Sequence, residues 1–565
     1  MAQGKRRRDS GVADLLLRNG RILDVFSGSS FEGDVAIVDD TIVGFGASDA
    51  QRTVDLRGAW VVPGLIDAHV HLESSQLSPP QFAAAVLPHG TTTVISDPHE
   101  IANVLGLHGI RYLLSATAGL PLSAFFMVPS CVPATHLETS GAILDAEATR
   151  EVLGWERVIG LGEVMNAPGV LSGDPDLLAK LAAAAGRPID GHAPGLSGPD
   201  LWAYILAGPR TDHECTTLPE AREKLQAGMH ILIREGTTSR NLDALLPLLT
   251  AENAPFVHFC TDDRHPETLL EEGHIDGMLR RAIAGGIPPH VAIAAGTIHA
   301  ARAYGLLDRG AVAPGYRADL AILSDLEGMR VDRVVAGGRL IAEGGRLLVD
   351  LPKASKQGAD NTVRLAPESL KLSIPAGSGS AKVIGVAPDQ VLTRALAIEP
   401  TIREGEVAAD PQRDLLKLAV IERHTGSGRV GLGLVRGFGL RHGALGSSVA
   451  HDSHNLIVVG TNDEDLRTAA RALADAGGGQ VVVADGAVRA RFDLPIAGLM
   501  SDRPLAEAAG AARALERAAR ELGCALPAPF MTLSFLALPV IPSLKLTDRG
   551  LVDVERFEIV PLFES

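Results

Sequence analysis

The sequence predicts an α/β chain built on a (β/α)8 TIM-like barrel, flanked by a small β-sandwich and followed by an additional C-terminal α+β domain. Three observations carry this. Residues 63–308 alternate short apolar, β-like runs with helical segments, the pattern of a parallel sheet, over about the 250 residues of one such barrel. Histidines and carboxylates recur just after those runs, at spacings of whole βα units. Turn-punctuated β-like stretches lie on both sides, as if one small domain were interrupted by the barrel.

Residues 1–12, with Lys5-Arg6-Arg7-Arg8, form a basic arm with no apolar stretch of signal-peptide length behind it, and are expected to be disordered. Residues 13–62 hold Leu15–Leu17 before Asn19-Gly20, and Val35–Val38 before Asp39-Asp40; both dipeptides read as hairpin turns. Residues 309–350 return to that pattern at Ala318–Leu323 and Val331–Ala342, completing a discontinuous β-sandwich. Within the barrel, Thr91–Ser96, Ala124–Val128, Val158–Leu161, His230–Ile233 and Phe256–Phe259 read as strands, and Asp176–Ala185 and Pro219–Ala227 as helices.

Residues 351–385 mix Pro, Gly, Ser and Lys and read as a linker; 386–565 form the C-terminal domain, with helices expected over Asp463–Ala474 and Leu505–Leu522. Gly426–Gly431 spells GxGxxG, but the strand-like Leu432–Val435 follows where a nucleotide fingerprint requires a helix. A glycine-rich hairpin is the reading.

The chain has 565 residues and a net charge of −16, with 46% hydrophobic and 21% charged residues. That acidity excludes the basic footprint of a nucleic-acid binder and suits an anionic membrane no better. Four scattered cysteines, Cys131, Cys215, Cys260 and Cys524, form no CxxC pair and fit a reducing cytoplasm. The apolar stretch Phe530–Leu544 is broken by Pro and Ser and is too short to span a bilayer. A cytoplasmic homo-oligomer is expected.

The chemistry starts at His69 and His71, which follow the run Trp60–Ile66. Residues two apart on a strand share a face, so two imidazoles can grip one cation. Glu163 follows 92 residues after His71, His192 after 29 more, His213 after 21, and Asp262 after 49. At roughly 31 residues per βα unit these positions fall on strands one, four, five, six and eight, all opening at the C-terminal mouth. The set suits two divalent cations: His69, His71 and Asp262 on one, His192 and His213 on the other, Glu163 bridging. Such a pair lowers the pKa of a shared water to give hydroxide, and Asp262 can take its proton and pass it to a leaving group. Imidazole and carboxylate ligands fit Mn, Fe or Zn.

These residues resemble the amidohydrolase superfamily. Pro63–His71 matches its entrance motif and Pro314–Ala321 its exit motif. Many binuclear members bridge their metals with a carbamylated lysine; here the barrel holds only Lys180 and Lys224, both in helical stretches, and Glu163 is the natural replacement. His71–Ser75, Ser96–Glu100, Gly162–Asn166, Gly191–Ala193, Thr261–Asp263 and Ser448–Asn455 are similar to segments of the bacterial adenine deaminases. The resemblance spans nearly the whole chain after the arm. It implies hydrolytic deamination of adenine to hypoxanthine and ammonia on two metal ions, commonly manganese or iron. Asp97 and Glu100 are then expected to grip or protonate the purine, with Glu73 and Arg234 next. His451 and His454 are expected to cap the mouth or hold the C-terminal domain in place. The competing readings are another metal-dependent hydrolase on the same barrel, for a different purine or a cyclic amide, and a non-catalytic metal-binding relative.

Overall fold

The computed structural model describes residues 12–46, 49–365, 370–387 and 392–563; the basic arm up to residue 11 lies outside them. Eight parallel strands form the barrel: Leu65–Val70, Thr91–Ser96, Ser123–Val128, Val158–Val164, Ile189–Gly191, Thr211–Asp212, His230–Arg234 and Val257–Cys260. The first five make one sheet and the last three another. The two join on both sides, by Arg210 N–H to the Ile189 carbonyl at 3.0 Å and by Asp262 N–H to the His69 carbonyl at 3.0 Å. Buried Asp67 ties strand one to strand eight as well, accepting from Thr261 N–H at 3.1 Å. Strands one and two are buried at every residue, as a parallel sheet covered by helices requires. Helices Pro175–Ala183 and Leu218–Gln226 carry Lys180 and Lys224. Neither lysine is available to the mouth: Lys180 donates to the Ser130 carbonyl at 3.1 Å, and Lys224 to the Ala193 carbonyl and Asp212.

The two flanks meet in one nine-stranded sheet, joined where Trp60–Pro63 pairs antiparallel with Leu320–Asp325, Val61 opposite Ile322. Asp39-Asp40 is a hairpin turn, but Asn19-Gly20 is not. Strand Val12–Leu23 runs through it, with its pairing register shifted between Leu17 and Gly20. Asn19 has φ 58°; the left-handed conformation that suits this residue to a turn serves a β-bulge equally well.

The C-terminal part is built on an eight-stranded mixed sheet, against which helices Asp463–Ala476 and Leu505–Glu521 pack. It begins earlier than the sequence predicts. Ala381–Val386 is already a strand of this sheet, and Leu370, Leu372 and Ile374 are buried in its cores. The expected linker is therefore partly core; an apolar residue at every second position outweighs the surrounding Pro, Gly and Ser. Gly426–Arg429 lies in the turn between antiparallel strands Leu416–Ile421 and Val430–Arg436, and Gly431 pairs with Val420, a hairpin as read.

Two C-terminal segments dock on the barrel mouth. In the first, Ser453 Oγ donates to Glu138 at 2.7 Å and Asn455 Nδ2 to the Thr139 carbonyl at 2.7 Å. In the second, Phe535, Leu538 and Ile541 pack with Cys131, Ala134 and Met165. Among the described residues no helix is long and apolar enough to cross a membrane.

Candidate active site

Each predicted ligand sits at the C-terminal end of its strand, and all six converge. His71 Nε2 lies 3.2 Å from His69 Nε2, 3.1 Å from Asp262 Oδ1 and 3.2 Å from Glu163 Oε1. Glu163 Oε2 reaches His192 Nδ1 at 2.6 Å and His213 Nε2 at 3.3 Å. Glu163 thus faces the strand-one histidines with one oxygen and the strand-five and strand-six histidines with the other. Asp262 adopts φ 55°, a left-handed conformation that Asp tolerates better than most residues, while its backbone stays tied to strand one.

The donor set fits divalent cations. Ligands about 2.1 Å from a metal stand roughly 3.0–3.4 Å apart at the edges of an octahedron or tetrahedron; the three contacts of His71 Nε2 and the Glu163–His213 contact fall in that range, while Glu163–His192 is shorter, at 2.6 Å, and His69–Asp262 longer, at 3.7 Å. The tautomers agree. His71 Nδ1 lies 2.9 Å from the Asp97 carbonyl; a carbonyl only accepts, so Nδ1 holds the proton and Nε2 presents its lone pair inward. His69 Nδ1 faces Asp190 Oδ2 at 3.7 Å, a carboxylate behind an imidazole ligand. Burial raises the Glu163 and Asp262 carboxyls, but the facing imidazoles and the Arg234 guanidinium outweigh it and hold both well below the carboxylate range: His192 first for Glu163, His71 and Arg234 for Asp262. Both are acceptor-only groups, ready to ligate.

Three of the four residues expected to read the purine stand outside the cavity lining. Asp97 lies behind the ligands: Oδ2 accepts Glu163 N–H at 2.9 Å and its carbonyl orients His71. Glu73 accepts Ile101 N–H at 3.0 Å; burial and the neighbouring Glu100 push its carboxyl up to about 8. Glu100 accepts from Ser74 Oγ and faces His454 Nε2 at 3.5 Å. These three carboxyls are not among the groups lining the cavity at the mouth. Arg234 does line it, but Nη1 donates to Asp262 Oδ2 at 2.8 Å and to Glu214, and Nη2 to Glu214 at 3.0 Å. It steadies Asp262. The expected purine contacts of Asp97, Glu73 and Glu100 are corrected accordingly: a loop can open at the mouth while its carboxyl turns back into the wall.

That cavity is lined by candidate ligand residues together with His99, Glu214, Asp263, His451, Asp452 and Phe535, among others. His99 and Glu214 went unassigned in the sequence although each lies beside a named residue; adjacency in the loops after strands two and six was the signal. Asp452 has the same signal, lying beside His451 in the quoted segment Ser448–Asn455; Phe535 has none, because it reaches the barrel from a part of the C-terminal domain with no motif. His451 lines the mouth, as expected of a cap.

The chain matches the Amidohydrolase family over residues 60–341 and the Adenine deaminase C-terminal domain over residues 390–558. An adenine deaminase of Desulfatibacillum aliphaticivorans is 50% identical over 553 residues, covering 98% of this chain and 97% of its own length. That of Oleidesulfovibrio alaskensis is 50% identical over 562 residues, covering 99% and 98%. Adenine deaminase 2 of Carboxydothermus hydrogenoformans is 49% identical over 554 residues, covering 97% of each. Half identical to these relatives from end to end, and matched in both its barrel and its C-terminal part, the chain belongs to the adenine deaminase family of amidohydrolases.

Proposed function

We propose that this protein hydrolyses adenine to hypoxanthine and ammonia, using two divalent cations held by His69, His71, His192, His213 and Asp262 with Glu163 between them. The observation that carries the reading is the position of Glu163, whose two oxygens face two separate histidine groups. The sulfur-free set favours manganese, iron or zinc, and manganese is the proposed metal. When bound, the cations supply a water acidic enough to act as nucleophile at neutral pH. Water adds at C6 and the amino group leaves as ammonia. Asp262 takes the proton from the water and delivers it to the departing nitrogen, its second oxygen held by Arg234. Glu163 and the imidazoles fix the reacting face; Phe535, Leu538 and Ile541 keep the pocket dry.

The proposed organisation is a catalytic barrel over about 63–308, a β-sandwich from 13–62 and 309–350, and a C-terminal α+β domain that closes the mouth. Four free, buried cysteines fit a cytoplasmic setting. Metal analysis and ammonia release measured on one sample test the reading. Two cations per chain with adenine turnover are expected. A fully loaded protein that ignores adenine but turns over another purine or a cyclic amide would overturn it.

A further inference from the structure

The C-terminal wall of the cavity contains a carboxylate oxygen with nothing to accept. Asp452 lines the cavity and is 2% exposed. His99 Nε2 and His451 Nδ1 both approach its Oδ1, each at 3.6 Å. Among the described residues Oδ2 has no hydrogen-bond partner. Leaving a buried carboxylate oxygen unpaired is costly, so the geometry calls for an N–H donor from whatever enters. Next to it the His451 ring stacks on Phe535, centroids 4.8 Å apart and planes at 16°, a flat surface suited to an aromatic ring.

The distances set which part of a purine lies there. His99 spans the gap between the two halves of the site, its Nδ1 3.5 Å from Glu163 Oε1 and its Nε2 toward Asp452. Asp452 therefore stands one imidazole away from the carboxylate that faces the reacting carbon. A purine with C6 at Glu163 and Asp262 extends its five-membered ring away from them, and in the free base that ring carries N9–H. In a nucleoside the same nitrogen carries the sugar.

A cation at Glu100, His451 and His454, whose ligand atoms cluster closely, is the competing use of this segment. The His454 tautomer argues against it. Nδ1 accepts Ala450 N–H at 3.2 Å, and a backbone amide can only donate, so the His454 proton is on Nε2, the nitrogen that faces Glu100. His454 presents a proton there rather than a lone pair.

We propose that Asp452 Oδ2 accepts the N9–H of adenine, so that the C-terminal domain selects the free base over N9-substituted purines. This rests on the adenine reading above. The test uses the metal-loaded enzyme and two competitive probes: 7-deazaadenine, which keeps N9–H, and 9-deazaadenine, which has C–H at that position. The change in their affinity ratio between parent and variant reads the contact. The parent is expected to favour 7-deazaadenine by about 10-fold or more, the scale of one hydrogen bond to a charged group. In Asp452→Ala that preference should shrink at least fivefold and the KM for adenine should rise by about 10-fold, with metal content unchanged. Asp452→Asn, which keeps the shape of the wall, should move the ratio in the same direction and serves if the alanine variant misfolds. A ratio unchanged in a folded variant overturns the proposal, even if turnover falls, since Asp452 would then act only through His99 and His451. A parent that releases no ammonia from adenine overturns the underlying reading instead.

Discussion

Gly162→Ala tests the support behind the metal-facing carboxylate without touching a proposed ligand. Gly162 precedes Glu163, and a Cβ built on it would lie 2.0 Å from Asp97 Oδ2 and 2.6 Å from Asp97 Cγ. Real Cβ contacts below 3.0 Å are essentially never seen, so the carboxylate must retreat by about 1 Å in a closely packed wall. That movement breaks the bond from Glu163 N–H, now 2.9 Å, and pulls on the carbonyl that orients His71. Losing a hydrogen bond to a charged group costs about 1.5–3 kcal/mol, and disturbing groups behind metal ligands costs roughly 10–100-fold in affinity or activity. Metal per chain after gel filtration, adenine turnover and the melting curve are the assays. Metal affinity and turnover should both fall by roughly 10-fold or more, while the protein stays folded. A variant with parental metal content and turnover would refute the role given to Asp97.

The remaining predictions concern groups already placed. Glu163→Gln should lose bound metal and activity together, because a neutral amide is a poor bridge for two cations; two tightly held metals with full turnover would remove the bridging role. Asp262→Asn should lose more turnover than metal, by on the order of 10²-fold or greater; equal losses would reduce Asp262 to a ligand alone. Burial, with Asp452 and Asp548 nearby, pushes the Glu138 carboxyl up to about 8 from 4.5. The folded state thus binds the proton more tightly, so this group's contribution to stability is full below pH 4.5 and is lost as pH rises toward 8. Glu138→Gln should flatten the fall in melting temperature between pH 5 and 9, and an unchanged slope would refute the assignment.

The barrel and the order of its candidate ligands are legible in the chain alone. In a parallel βα repeat every strand ends at the same mouth, so chain spacing converts directly into position. His69, His71, Glu163, His192, His213 and Asp262 needed no knowledge of contacts between distant residues. The hairpin at Gly426–Gly431 and the helices beginning at Asp463 and Leu505 were equally legible, being local patterns. Which way the other carboxyls point is set by packing between distant segments. Asp97 comes just after strand two and Glu163 near the end of strand four, yet Asp97 turns back to hold Glu163 N–H and His71, which local periodicity does not encode. Asn19-Gly20 became a bulge because its partner strand continued alongside it. The outer wall of the cavity was the least legible part. Asp452 meets His99, and Ser453 meets Glu138, across more than 300 residues of chain. Pairings over that separation depend on how the C-terminal domain docks, and docking is set by the matched surfaces of two folded bodies.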